Sequence, residues 1–446
     1  MRAWAKALPF ILCTAGFILT LFVFHPGVMT YDAKYVYLAI TEPRWGDWQS
    51  PVMVWLWRLI DPLAPGSASM FLLIAGLYWS GFAILSAALA RRSPAAGILL
   101  ALLAFLPPAA EFAGIIWRDI LFSTTWLLAA ALAYVAAGMT ARMRLLLQLA
   151  ALGLVAFGVL LRPNALIAAP VLAAYALWPW RFSFVRMIAL YVPVAIACYG
   201  LVQFVYYGLL DAKREHPLHS IFVFDLGGIS HFSKNNQFPG AWTLEQNTLI
   251  LDGCYKPTLW DIYWNRDPCN FVMARLEKQD KVFGTPVLSS AWISAIANHP
   301  LAWLQHRAAF MRNFLVNENL TLWTLDVEDP RKYLYEDRPA FMTLRAIDEA
   351  LRKTPLMRAG TWLMLDLLVV LLAWRRRATP EGALAVAAAG SAAIYVMTFF
   401  LVGVASDFRY AHWAVLAALA GGAALVAGKG KTDLPAHART SGHPAI

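Results

Sequence analysis

Leu8-Pro-Phe-Ile-Leu-Cys-Thr-Ala-Gly-Phe-Ile-Leu-Thr-Leu-Phe-Val-Phe24 is a predominantly apolar run, preceded by Arg2 and Lys6 and followed by His25-Pro-Gly-Val-Met-Thr-Tyr-Asp32. A helix that crosses a bilayer needs roughly 20 mainly apolar residues, and this run approaches that length. The basic residues on its N-terminal side place that end in the cytoplasm. No small-x-small cleavage site follows Phe24, so the run reads as an uncleaved anchor.

Similar runs recur at 70–90, 95–112, 115–138, 145–161, 165–180, 187–210, 359–374, 383–403 and 410–427. That makes about ten candidate spans. All are expected to be helices, because backbone exposed to lipid must satisfy its own hydrogen bonds. Basic residues fall in every second gap: Arg2/Lys6, Arg91/Arg92, Arg142/Arg144, Arg181/Arg186, Arg375/Arg376/Arg377 and Lys429/Lys431. The positive-inside rule assigns all of these to the cytoplasm, together with both termini. The chain is 60% hydrophobic and 14% charged, which excludes a soluble domain of 446 residues. Its net charge of +10 does not imply a nucleic-acid partner, because the excess sits in the short loops that set topology.

The fold class expected is an all-α polytopic membrane protein with an extracytoplasmic loop domain. Its parts are an N-terminal transmembrane module over 1–210 with a first outer loop at 25–69, and an outer domain over 211–358. C-terminal transmembrane helices follow over 359–428, then a polar, disordered cytoplasmic tail over 429–446. Within the first outer loop, Pro51-Val-Met-Val-Trp-Leu-Trp-Arg-Leu-Ile-Asp61 is apolar but too short to span and suits an interfacial helix. Gly, Pro, Asn and Asp punctuate the first half of the outer domain, which reads as loops and turns. Its second half carries helical apolar spacing over 288–315, broken at His299-Pro300. Of the four cysteines, Cys13 and Cys198 lie in apolar spans. Cys254 and Cys269 lie in the outer domain, where an oxidising compartment favours a disulfide between them.

The outer gaps hold isolated charged motifs at span ends. Asp32 closes the first span, and Asp47 lies in the loop beyond it. Burial against Tyr31, Tyr35 and Tyr37 would raise the Asp32 pKa and make it a better proton acceptor. Equally, Asp32 could be only the N-cap of the next short helix. Trp117-Arg118-Asp119 opens the fourth span, where Asp119 also suits the helix dipole. Arg162-Pro-Asn164 ends the fifth span, where Arg162 could simply snorkel, and Asp407-Phe-Arg409-Tyr410 precedes the last. Because helix ends share one depth, the four motifs could meet around one cavity. Arg118, Arg162, Arg307, Arg312 and Arg409 are available for a phosphate. Asp366 is an exception, a carboxylate in mid-span without an assigned role. No nucleotide-binding loop, His-Glu-x-x-His or Cys-x-x-Cys motif is present.

Taken together, these motifs resemble the GT-C superfamily of integral-membrane glycosyltransferases. The branch they resemble is the bacterial polyprenyl-phosphate-sugar-dependent enzymes related to protein mannosyltransferases and the aminoarabinose transferase. The matching pieces are Pro-Gly-x-x-x-x-Asp32 after the first span, Trp48-Gln-Ser-Pro51, Arg118-Asp119, Arg162-Pro-Asn164, Asn298-His-Pro-Leu-Ala-Trp-Leu-Gln-His-Arg307 and Asp407-Phe-Arg-Tyr410. Related enzymes often carry His-Pro after that Trp, where this chain has Gln49-Ser50-Pro51, and Ala33 stands where a second acidic residue is usual. The resemblance implies a bacterial inner-membrane enzyme whose active site faces the periplasm. Asp32 would be the catalytic base and Asp119 a second acidic catalytic residue. Arg118, Arg162, Asn164, Arg307 and Arg409 would bind the donor phosphate or substrate, with Asp47, Asp407 and Tyr410 in support. The partners implied are a polyprenyl-phosphate-linked sugar, a hydroxyl acceptor of unspecified class and membrane lipids. No cofactor is implied with certainty, and a divalent cation is left open. Inversion is expected from one base and a single displacement. One alternative is a lipid-linked-sugar flippase or transporter, although no internal repeat is visible and the charges lie at span ends rather than the midplane, apart from Asp366; another is a polysaccharide polymerase or ligase, which would also use outer arginines.

Overall fold

The computed structural model describes residues 4–316 and 335–428. The expectation for the tail over 429–446 lies outside the described residues. Among those described, helices dominate. Seven are long and apolar enough to cross a membrane, or eight if one bent pair counts as a single span.

The bundle begins with α1 (Trp4–Phe24), whose outward face bears Phe10, Ile11, Ile18 and Phe22 exposed. Such a stripe would be a liability in water, and it suits lipid. The chain then makes a two-residue strand β1 (Val28–Met29), a short helix α2 (Tyr31–Ala39) and α3 (Pro51–Ile60). Ser50 caps α3 and Pro51 occupies its first turn, where a missing N–H costs nothing. As expected of an amphipathic segment, α3 buries Trp57 and exposes Trp55 and Leu59. The Trp57 indole N–H donates to the Gly66 carbonyl at 3.1 Å.

Next come α4 (Ser67–Ala90) and α5 (Pro94–Leu103). The latter bends by 67° into 107–114 and ends in β2 (Ile115–Ile116). Pro107 and Pro108 lie at the bend, where proline ends an α-helix. α6 (Arg118–Ala136) and α7 (Ala141–Leu161) form an antiparallel hairpin. Residues 165–180 are not the uniform span expected from their composition. Pro163–Ile167 is a 3₁₀ turn and α8 (Ala169–Leu177) has only 9 residues. At about 1.5 Å per residue this helix is shorter than half the hydrocarbon thickness. Pro163 and Pro170 each remove a backbone donor, which explains the interruption. The chain still returns to the opposite end, where Arg144 stacks on the Trp180 ring at 5.5 Å.

α9 (Phe184–Gln203) continues helically to Leu209. The following segment departs from the loop-and-turn expectation, because it contains α10 (His219–Ser233). Gly227 and Gly228 are not turn punctuation. A Cβ on Gly227 would lie 2.1 Å from the Tyr263 hydroxyl oxygen, and one on Gly228 would lie 2.2 Å from the His306 ring. These glycines let aromatic rings approach a helix. The expected break at His299-Pro300 separates α11 (Pro286–Asn298) from α12 (Pro300–Val316). Cys254 and Cys269 are joined by a disulfide. α13 (Pro339–Leu351) leads to α14 (Ala359–Trp374), α15 (Pro380–Val402) and α16 (His412–Gly428). α14 is apolar but only 16 residues long. Asp366 on it is fully buried, and neither carboxylate oxygen finds a hydrogen-bond partner among the described residues.

β1 and β2 pair in parallel, Val28 with Ile115 and Met29 with Ile116, and this is the sheet that the described residues contain. Gly27 makes the pairing reachable. Its φ of +103° suits glycine, and a Cβ there would lie 2.5 Å from the Phe71 Cβ. Gly27→Ala is expected to destabilise the detergent-solubilised protein by about 2 kcal/mol or more, read as a fall in thermal midpoint. Gly76 lies inside α4 with nothing within 4 Å of a built Cβ, so Gly76→Ala should be neutral or gain up to about 1 kcal/mol. Equal midpoints for the two variants would refute this account of Gly27.

Candidate active site

The strand pair determines which span ends meet. Beyond Ile116 the chain enters α6 at Arg118, and beyond Met29 it enters α2, so Asp32 comes beside Arg118 and Asp119. The Thr30 hydroxyl donates to the Ile116 carbonyl at 3.1 Å and accepts from the Ala33 N–H at 3.2 Å. Thr30, not Asp32, is therefore the N-cap of α2. That removes the capping explanation for Asp32 and leaves its carboxylate for other contacts.

Arg409 stands at the centre of the charged contacts. Its Nη1 lies 2.9 Å from Asp32 Oδ2, and its Nε lies 3.2 Å from Asp407 Oδ2 and 3.9 Å from Asp119 Oδ2. Its guanidinium lies over the rings of Trp117 at 4.7 Å and Tyr410 at 5.1 Å. Asp407 aims it by accepting the Arg409 backbone N–H, which caps the 3₁₀ turn Phe408–Ala411. Arg162 meets Asp119 Oδ1 at 2.9 Å, with both side chains buried. The Arg162 Nε donates to the Tyr395 hydroxyl at 3.4 Å, with Asn164 beside the same hydroxyl. Arg118 donates to the Trp48 carbonyl at 3.2 Å and bridges no carboxylate among the described residues. Gln49 offers its amide to Asp32 Oδ1 at 3.5 Å.

Asp32, Asp119, Asp407, Arg118, Arg162, Asn164, Arg409 and Tyr410 are thus brought together at one end of the bundle. Asp32, Gln49, Met53, Ile116, Trp117 and Arg118 line a hollow there. Arg307 is not among them. It is buried with Asp225, Nη2 to Oδ1 at 2.7 Å, and donates from Nη1 to the Gly403 carbonyl at 2.7 Å. The sequence offered it as one of several arginines for a phosphate without revealing Asp225 as its partner, and the structure does not bring it to the Asp32 cluster. Asp47 also lies apart. It accepts from the Tyr207 hydroxyl and the Glu215 N–H, both at 2.6 Å, and so ties the first loop to the chain beyond α9.

The electrostatics reverse one expectation. Burial pushes the Asp32 carboxyl up, but Arg409, Arg118 and Arg162 together outweigh it and hold the pKa below its ordinary value. Asp32 is therefore an ionised but weakened base, not one raised towards neutrality. Asp407 behaves oppositely. Its burial, reinforced by Asp119 and Asp32, outweighs Arg409 and raises it. Asp261, which sequence reasoning passed over, is also raised, first by burial and partly by Asp32. It arrives because Trp260 N–H donates to the Val404 carbonyl and Ser406 N–H to the Thr258 carbonyl, an antiparallel contact between distant segments. Tyr395 was likewise passed over, being one aromatic residue within an apolar span. Among the described residues no group of three or more His, Cys, Asp or Glu is placed to hold a metal ion. The Asp32, Asp119 and Asp407 carboxylates are instead taken up by guanidinium.

Comparison with protein-family models, curated proteins and solved structures finds no match. The site therefore rests on its own geometry. Arg162 and Arg118 differ in what they leave behind. Removing Arg162 strands the buried Asp119 carboxylate, which costs on the order of 3–5 kcal/mol. Removing Arg118 deprives only a carbonyl of a donor. Thermal unfolding should accordingly show Arg162→Ala much less stable than Arg118→Ala; the reverse order would contradict the pairing described.

Proposed function

We propose that this chain is a membrane-embedded glycosyltransferase of the GT-C type, moving a sugar from a polyprenyl-phosphate donor to a hydroxyl acceptor. One observation carries the reading. Asp32, a carboxylate, and Arg118, a guanidinium that bridges no carboxylate among the described residues, line the same hollow at one end of membrane-length helices. A base and an anion-stabiliser side by side are what displacement at an anomeric carbon with a phosphate leaving group requires.

In the proposed reaction the acceptor hydroxyl docks against Asp32 Oδ1, which carries only the long Gln49 contact. Its oxygen forms a bond to the anomeric carbon while the bond from that carbon to the phosphate oxygen breaks. The hydroxyl proton passes to Asp32. The electron pair of the broken bond stays on the polyprenyl phosphate, where Arg118 meets the added charge. A phosphate leaves readily as an anion, so no strong general acid is needed. Arg409 and Arg162 hold Asp32 and Asp119 in position. One base and one displacement give inversion.

In this reading the site faces the outer compartment, with Arg91, Arg142 and Arg376 on the cytoplasmic side. The helix ends support such a separation. α6 runs from Arg118 at the site to Tyr134 near Glu381 and Arg92 at the other end, and α7 returns to Arg162. A cysteine introduced at the exposed Leu63 should react with a membrane-impermeant maleimide in intact cells. One at Thr140, in the exposed turn between α6 and α7, should react only after permeabilisation. Labelling of Thr140→Cys from outside would end the orientation.

Purified protein given labelled polyprenyl-phosphate sugars should consume donor. Asp32→Asn should keep the fold, since Thr30 supplies the cap, yet lose about 10² to 10⁴ in turnover. Arg118→Ala should raise KM, because its phosphate contact exists in the ground state as well. The pH profile adds a signed test. Asp32 must be ionised, so the rate falls as pH drops through its pKa. In the wild type that limb lies below the ordinary carboxylate value of about 3.9. Arg409→Ala removes the strongest opposing charge, so the limb should move to higher pH. Near-wild-type transfer by Asp32→Asn would end the catalytic assignment.

A further inference from the structure

The end of the bundle opposite Asp32 has a hollow of its own, lined by Ala174, Trp178, Arg181, Phe182, Ser183 and Arg186. We infer that it binds the headgroup of an anionic phospholipid, whose acyl chain lies along the exposed stripe of α9. This rests on the helices spanning a membrane and is independent of the transfer reaction.

The charge is complementary. Arg181 and Arg186 bridge no carboxylate among the described residues. Glu381, at the same end, is buried, and its carboxylate is taken up by Tyr134 at 3.0 Å and Arg92 at 3.5 Å. Planarity is fixed in advance. The Arg186 guanidinium lies over the Trp178 ring at 5.0 Å, which holds its fork of donors without spending them. Two further Arg–Trp stacks flank the hollow's end of the bundle, Arg144 on Trp180 at 5.5 Å and Arg377 on Trp374 at 4.9 Å. Tryptophan and arginine together are suited to the headgroup level, where one side is apolar and the other wet. Basic pockets between spans on the cytoplasmic side are a recurring form of anionic-lipid recognition.

The stripe supplies the track for the tail. α9 starts at the hollow, with Ser183 as its cap accepting from the Arg186 N–H. Val185, Ile188, Val192 and Ile196 follow at helical spacing and are 76%, 54%, 61% and 66% exposed, respectively. From Val185 to Ile196 the helix rises about 16 Å, which matches one leaflet's half of the roughly 30 Å hydrocarbon core. A diester phosphate seated between Arg181 and Arg186 therefore places its chain on a continuous apolar surface of one leaflet's depth.

The test is native mass spectrometry of the full chain released from detergent after incubation with phosphatidylglycerol or with phosphatidylcholine of the same acyl chains. The wild type should retain phosphatidylglycerol preferentially. The double variant Arg181→Lys, Arg186→Lys keeps the charges that set topology but loses the planar fork and the Trp178 stack. Its phosphatidylglycerol affinity should fall about tenfold, the loss of one charge-assisted hydrogen bond. Equal retention of the two lipids by the wild type, or unchanged retention by the double variant, overturns the inference. Displacement of the lipid by inorganic phosphate at equal concentration also overturns it, since the tail would then contribute nothing.

Discussion

The pairing of Val28 and Met29 with Ile115 and Ile116 is the constraint on which the charged end of this molecule depends. Helix packing alone leaves two span ends free to differ in depth by a turn or more. Backbone hydrogen bonds between two short extended segments do not, because a parallel register admits only discrete steps. Thr30 reinforces the register by donating to the Ile116 carbonyl while capping α2. Asp32 and the Arg118-Asp119 pair, more than 80 residues apart in the chain, then have no choice but to meet.

What meets there is electrically balanced. Arg118, Arg162 and Arg409 face Asp32, Asp119 and Asp407. A half-buried cluster of this kind is tolerable only when charges are paired, since desolvation otherwise exceeds the Coulombic gain. The balance is not evenly shared. Arg162 and Arg409 are bound to carboxylates, whereas Arg118 meets only a carbonyl. An incoming phosphate would therefore bind Arg118 without first breaking an ion pair. For Asp32 the same balance works against basicity. In the proposed transfer it is ionised throughout the neutral range and compensates for its weakness by position.

A second buried ion pair holds the first site together from a distance. Asp225 accepts from Arg307, from His306 at 3.1 Å and from the indoles of Trp292 at 2.7 Å and Trp303 at 3.1 Å. Burial raises this carboxyl, yet Arg307 and His306 outweigh it and keep it below its ordinary value. Burial also pushes the His306 imidazole down, so its Nε2 proton serves Asp225 and its Nδ1 accepts the Tyr255 hydroxyl. Arg307 then reaches the Gly403 carbonyl, four residues before Asp407. The pair thus fixes the segment that carries Arg409 against the helices α10 and α12.

Much of this was legible in the chain. Long apolar runs dictate helices because lipid leaves the backbone no other partner, and the motifs at their ends dictate which polar residues share a depth. The Cys254–Cys269 bond and the break at His299-Pro300 were expected, the first from an assumed oxidising compartment and the second from proline chemistry, and both are present. The span at 165–180 was overestimated because composition records hydrophobicity but not the effect of two prolines on a short helix. The first half of the outer domain was read as loops and turns for a related reason: a glycine that permits a turn and one that admits an aromatic ring, as Gly227 and Gly228 do, look alike in sequence. Partner choice was the part that only the tertiary structure decided. Whether Arg307 faces a carboxylate or a ligand, and whether arginines lower the Asp32 pKa more than burial raises it, depends on distances of a few ångströms between segments far apart in the chain. Coulombic energy varies with that distance, and the local sequence does not contain it.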